Sequence, residues 1–328
     1  MHLVCLGVTK KLMMLWIKES NGFKLQSVEV KNLSNALMLL SQYVPREFAR
    51  KPRNLEEIAR FKATKFRLFL LYLSCAVIHK FLPKSNLMHF YTLHAAIFIL
   101  SHPTKCQELN KYAEELLKYF VTWFGQLYGR QNLSFNIHNL IHLPKDVELY
   151  GCLDTFSSFP FENFLSSLKN RVKKNAKPLQ QLHNRLTEIS NQVTENCKND
   201  VKYPVLIKPA SHATLPFGYN NAYQGLQFKN FCLLSSKKAD QHCYLRNGKI
   251  IQIQFFTCKE NRIFVFGKTL QNMESLPDYP MNSKNLNIFV GNIWIEHESF
   301  QYDEIVSKAV RLPYTEEKYC FIPLLHTF

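Results

Sequence analysis

The sequence predicts an α+β protein: a helical region over residues 1–198, a linker over 199–226 and a small β-barrel-like module over 227–328. Three observations carry this reading. Apolar residues recur at three-to-four spacing, with few glycines, through much of the first region. Short runs rich in β-branched and aromatic residues dominate the last hundred or so positions. Between them Pro204, Pro209, Pro216, Gly218, Asn220, Asn221 and Gly225 gather with little periodicity, the composition of a connecting segment.

Helices are expected over Leu3 to Trp16, Leu55 to His79, Leu87 to Leu100, Cys106 to Tyr128 and Pro160 to Arg171. The fourth is the clearest: Tyr112, Leu116, Tyr119, Phe120, Trp123 and Leu127 line one broad face, and Gly129 is placed to end the helix. Pro83 and Pro103 punctuate neighbouring helices, since proline fits a first turn and breaks an interior. A basic loop from Arg171 to Lys177 then leads into an amphipathic stretch ending near Val193. Downstream, NFCLLS, HCYLRNGKIIQIQFFTC, RIFVFGKTL, NIFVG and YCFIPLL read as strands, and Asn247-Gly248 between two apolar runs is a hairpin signal. Several short strands in such a span suggest a small barrel or sandwich.

Hydrophobic residues make up 46% of the chain and aromatics 13%, enough to build cores in 328 residues. The net charge of +16 is uneven: residues 1–224 hold 29 Lys and Arg against 15 Asp and Glu, whereas 225–328 hold 12 against 10. A polyanion-binding face therefore belongs to the first two thirds, although charge alone equally describes a solvated surface. Nine scattered cysteines, odd in number and never spaced C-x-x-C, read as reduced and mostly buried thiols of an intracellular protein. Lys10 and Lys11 interrupt the apolar start, which is thus neither a signal peptide nor a spanning helix, and the apolar run from Phe66 to Leu82 is better read as a buried core helix.

Few motifs carry chemistry. His138 and His142 are four apart, which on a helix places both imidazoles on one face; a zinc-protease pattern needs a glutamate where Asn139 stands, so packing or capping is the better reading of the pair. No spacing selects a cysteine nucleophile, and no glycine-rich phosphate loop is present. Glu162 is more informative. It opens an amphipathic helix after Pro160, and that helix leads into Lys169, Arg171, Lys173, Lys174 and Lys177. A carboxylate followed by phosphate-binding cations suits one corner of a metal-dependent nucleic-acid site. The plainer account is a carboxylate favoured by the positive end of its helix.

The stretches MHLVCLGVTKKLMMLW, RKPRNLEEIARFKATKFRLFLLY, YAEELLKYFVTWFGQLYG, LSFNIHNLIHLPKDVELYGCLDTFSSFPFENFLSSLKNRVKKNAKPLQQL and FIPLLH resemble the C-terminal half of transposase-derived proteins of the CACTA (En/Spm) type. That resemblance implies an RNase H-like nuclease fold with a D-D-E metal triad, interrupted by a long helical insertion. By it, His2 corresponds to the histidine of a D-x-x-H signature and Glu162 to the triad glutamate. The signature aspartate would fall just upstream of Met1, and the first triad aspartate farther upstream. Within the chain the first aspartate is Asp146, so nothing before it supplies either ligand. A two-metal site needs several carboxylates to hold its ions together, and one Glu cannot do so.

The expected protein is a transposon-derived, N-terminally truncated fragment without catalysis of its own. It needs no cofactor as this chain; Mg2+ or Mn2+ would enter only if a complete site were supplied. Its expected partner is DNA, bound weakly and without sequence specificity through Lys169, Arg171, Lys173, Lys174 and Lys177, helped by Arg46, Arg50, Lys51 and Arg53. No membrane role is expected, and the location is nuclear or cytoplasmic. Two alternatives stand beside it. One is a host interaction protein whose β module binds a protein partner; the other is an active transposase whose two aspartates lie upstream of an incomplete gene model.

Overall fold

A computed structural model describes residues 2–18, 23–173, 176–195, 202–210, 219 and 221–325, apart from the side chains of 190–195, 293, 296 and 297. The α+β class is observed: helices fill the N-terminal part and an antiparallel sheet the C-terminal part. The grouping differs from the expected one. Residues 1–155 and 204–328 form one compact unit, and 156–203 form a second. Residues 205–210 and 222–226, expected to be linker, lie in strands.

The larger unit opens with a π-helical stretch, Leu3–Thr9, running into α1 (Lys10–Ile17). Next comes α2 (Ser27–Leu39), a helix the apolar spacing did not predict. Its signal was at the start: Gln26 and Glu29 form a capping box, with the Gln26 backbone N–H donating to Glu29 Oε2 at 2.7 Å. The expected helix from Leu55 to His79 is broken into 3-10 turns, a π-helical stretch at Phe69–Leu73 and the short helices α3 (Ala63–Leu68) and α4 (Ser74–Val77).

At the centre lies α5 (Lys84–Ser101), in which every residue from Asn86 to Ser101 except Met88 is buried. A helix apolar on all sides has no solvent face to keep, so it is packed around its whole circumference. Some of its buried polar groups are paired, whereas Tyr91 Oη, Ser101 Oγ and His89 Nδ1 have no hydrogen-bond partner among the described residues. Asn86 Nδ2 donates to Tyr128 Oη at 3.3 Å, His89 Nε2 lies 2.9 Å from the Phe120 carbonyl, and His94 Nδ1 lies 2.7 Å from Tyr279 Oη. Burial pushes the His89 and His94 imidazoles down to about 4, so both are neutral at pH 7. Beside α5 runs α7 (Asn110–Tyr128), after the one-turn α6 (Lys105–Glu108); it ends at Gly129 as expected, whose φ of 89° is costly for any residue with a Cβ, but its buried face is Ala113, Leu116, Leu117, Phe120, Phe124 and Tyr128, while Tyr119 and Trp123 of the expected face are exposed. Two further helices, α8 (Phe135–His138) and α9 (Leu143–Tyr150), complete this part.

Among the described residues ten strands follow: β1 (Val205–Ala210), β2 (Ala222–Gln227), β3 (Cys232–Leu234), β4 (His242–Leu245), β5 (Ile250–Lys259), β6 (Arg262–Gln271), β7 (Phe289–Gly291), β8 (Ile293–Gln301), β9 (Ile305–Pro313) and β10 (Tyr319–Pro323). They pair antiparallel in the order β1-β2-β5-β4-β9-β10-β7, with β3 on β2 and β6 bridging β5 to β8. The sheet branches rather than closing, so the expected barrel is not formed among the described residues. The β4–β5 hairpin turns through Asn247-Gly248, Gly248 having a φ of 81°. Side chains of β4 alternate between two cores: Cys243 and Leu245 join Leu226, Ile251, Phe256 and Val265, while Tyr244 joins Ile250, Leu270 and Phe321. Covered on both faces, β4 is buried along its whole length.

The sheet and the helices of this unit are joined by polar contacts that sequence reasoning missed. Lys308 on β9 is fully buried; its Nζ lies 2.7 Å from Glu47 Oε2 and 2.6 Å from Asp240 Oδ1, and donates to the Cys232 carbonyl at 2.8 Å. A lysine inside the apolar strand IVSKAVRLP was the available signal, because such a residue persists only when its ammonium is satisfied. Tyr112 Oη donates to the Pro280 carbonyl at 2.9 Å, and the Leu325 N–H donates to Tyr72 Oη at 3.1 Å.

Candidate nucleic-acid interface

The smaller unit is a helical hairpin of α10 (Phe159–Arg171) and α11 (Pro178–Glu195). Pro160 sits in the first turn of α10, where its missing N–H costs nothing, and Pro178 starts α11 in the same way. Glu162 lies in the first turn of α10, exposed, with its N–H donating to the Ser158 carbonyl at 3.0 Å. The positive helix end favours a carboxylate there. Lys169 lies seven residues on, hence on the same face and about 10 Å farther along the axis.

Lys169 and Arg171 occupy the last turn of α10, where the helix dipole favours cations. Lys173 follows in the loop, and its N–H donates to Gln181 Oε1 at 3.2 Å. The same Gln181 side chain donates to the Ala176 carbonyl, so one residue of α11 ties both sides of the loop. Lys177 turns the chain into Pro178 with a φ of 50°. Lys169, Lys173 and Lys177 are exposed and Arg171 is half-buried. Among the described residues none of these four forms an ion pair, whereas Arg185 on α11 pairs with Glu188 at 2.9 Å. Lys174, expected to belong to this group, lies outside the described residues. The arrangement concentrates uncompensated positive charge at the hairpin turn, which suits phosphate groups.

The second expected cation group, in the larger unit, is partly committed elsewhere. Arg53 pairs with Glu57 at 3.6 Å. Lys51 donates to the Val44 carbonyl, and burial lowers the proton affinity of its amine. The Arg46 backbone N–H donates to Asp240 Oδ1 at 3.2 Å, leaving its exposed side chain and Arg50 as the accessible members.

His2 belongs to the larger unit, half-buried at the start of the π-helical stretch, and makes no side-chain cap there. Glu162 belongs to the smaller unit. Among the described residues no group of three or more His, Cys, Asp or Glu is placed to hold a metal ion. Asp154, in the larger unit, is held by Arg67 at 2.5 Å. The cysteines described are free thiols: six are buried, Cys152 and Cys258 are half-buried, and Cys197 lies outside the described residues. Burial pushes the Cys5 and Cys75 thiols up to about 12, which removes them as nucleophiles at neutral pH.

Apolar side chains also mark the hairpin. No residue of α10 is buried, and Phe161, Phe164 and Leu165 with Leu179 and Leu186 of α11 are 41–80% exposed.

Residues 211–324 match the family model described as Domain of unknown function (DUF8592). The match takes in β2 to β10, about a third of the chain, and none of the helices α1 to α11. No curated protein and no solved structure matches the chain. No helix among the described residues is long and apolar enough to cross a membrane.

Proposed function

We propose that this chain is a transposon-derived protein that binds DNA weakly and without sequence specificity through the turn of the α10–α11 hairpin, and that it does not cut DNA by itself. The carrying observation is the group Lys169, Arg171, Lys173 and Lys177, gathered at one turn with no ion pair among the described residues. Loop backbone pinned by Gln181 supports the same reading, since a phosphate site gains from cations that are already positioned. Four phosphate contacts give a slope of about −3 to −4 for log affinity against log salt. Binding of a duplex measured between low and moderate salt should show that slope, and each of Lys169→Glu, Lys173→Glu and Lys177→Glu should reduce it by about one. A flat salt profile, or one indifferent to these substitutions, overturns the proposal and favours a role for the β module with a protein partner.

A second reading, in which Glu162 serves an active transposase with two aspartates supplied by residues outside these 328, is favoured by one observation. An amphipathic helix ordinarily buries its apolar stripe, yet α10 buries none of Phe161, Phe164 and Leu165. In that reading the stripe is covered by the residues that also bring the aspartates.

A further inference from the structure

His138 and His142 stand on the surface of the larger unit, His138 closing α8 and His142 closing the 3-10 turn Asn139–His142 that leads into α9. Packing or capping, the roles expected of them, are not what they do. Each ring is exposed, and neither side chain caps the helical segment that begins beside it. The two rings meet edge to face with centroids 5.7 Å apart. Neither makes a hydrogen bond or an ion pair among the described residues, which leaves the ring nitrogens available.

Their backbone is well anchored. Ile137 and Leu140, which lie between them in sequence or beside them, are fully buried, and Asn110 Nδ2 donates to the Pro144 carbonyl at 3.0 Å just beyond. Two imidazoles presented close together on an anchored backbone form a bidentate donor set. Imidazole suits Cu2+, Ni2+ and Zn2+, whereas Mg2+ and Ca2+ require oxygen ligands. Once one ring has bound an ion, the other competes at the high effective concentration of a tethered ligand.

We propose that His138 and His142 together bind one divalent transition-metal ion of the imidazole-preferring kind. No third His, Cys, Asp or Glu completes a group of three among the described residues, so water fills the remaining positions and the ion stays open to an outside ligand. The site belongs to the larger unit and stands apart from any role of Glu162.

The full chain titrated with Ni2+ alone, with the imidazole resonances followed by NMR, tests this. Broadening should strike the His138 and His142 rings together, and His138→Gln or His142→Gln should each weaken binding at that site by about tenfold or more, as loss of a chelate partner requires. A smaller loss in either variant means two independent histidines and overturns the proposal. So does broadening that spares these rings, or an equal response to Mg2+.

Discussion

The two units of the chain handle apolar surface in opposite ways. In the larger, α5 is buried on every side and even its Asn86, His89 and His94 are enclosed and hydrogen-bonded. In the smaller, α10 carries Phe161, Phe164 and Leu165 and buries nothing. Stability therefore resides in the first, and the second offers surface, both charged and apolar. On the proposed reading, DNA contact and folding energy are carried by different parts of the sequence, so substitutions should separate them.

The widest separation is expected at matched aromatic positions. Phe90→Ala in α5, where the ring packs against Trp16 and Phe69, should cost about 3–5 kcal/mol in urea unfolding. Phe164→Ala, in the exposed stripe, should stay within about 0.5 kcal/mol. Equal costs would break the comparison.

Lys308→Met should lower stability by a similar amount, about 3–5 kcal/mol, because it strands two nearly buried carboxylates, Glu47 and Asp240. If the same substitution is neutral in denaturant unfolding, the ionic contact is not what joins helices to sheet.

A smaller cost, about 1–3 kcal/mol, is expected for Gly267→Ala, since a Cβ there would sit 2.6 Å from the Gln252 carbonyl oxygen and 2.5 Å from Ile251 Cγ2. Thermal unfolding of this single variant checks it.

The pH dependence follows from the buried histidines. His89 and His94 have folded values near 4 against an ordinary 6.5, so the unfolded chain takes up protons first as the solution is acidified. Their contribution is fully present above about 6.5 and is lost as pH falls towards 4. The stability of His89→Phe should therefore vary less across that window than that of the parent; an identical profile would show that this imidazole is not held neutral by the fold.

Local signals in the sequence were legible where the structure is made by neighbours. Asn247-Gly248 forms the expected hairpin, and α7 ends at Gly129 as expected, although its buried face is rotated away from Tyr119 and Trp123. Gly225 shows where local reading fails. It was counted as a linker residue, yet it lies within β2, where a Cβ would sit 2.6 Å from Ile207 Cγ1 and 2.7 Å from Leu234 Cδ2. A glycine demanded by close approach of the flanking strands has the same composition as one that breaks structure. The cations of the hairpin turn could be listed from sequence, but the commitments of Lys51 and Arg53 could not, because they depend on contacts made by folding. The exposure of His138 and His142 was likewise invisible, since periodicity does not distinguish the face of a helix that is left uncovered.

On the proposed reading, these 328 residues hold DNA without cutting it. A labelled duplex incubated with the protein at low salt and Mn2+, then resolved under native and denaturing conditions, addresses both halves at once. The account predicts a retarded but intact duplex, with Glu162→Gln indistinguishable from the parent. Cleavage that requires Mn2+ and disappears in Glu162→Gln would contradict it.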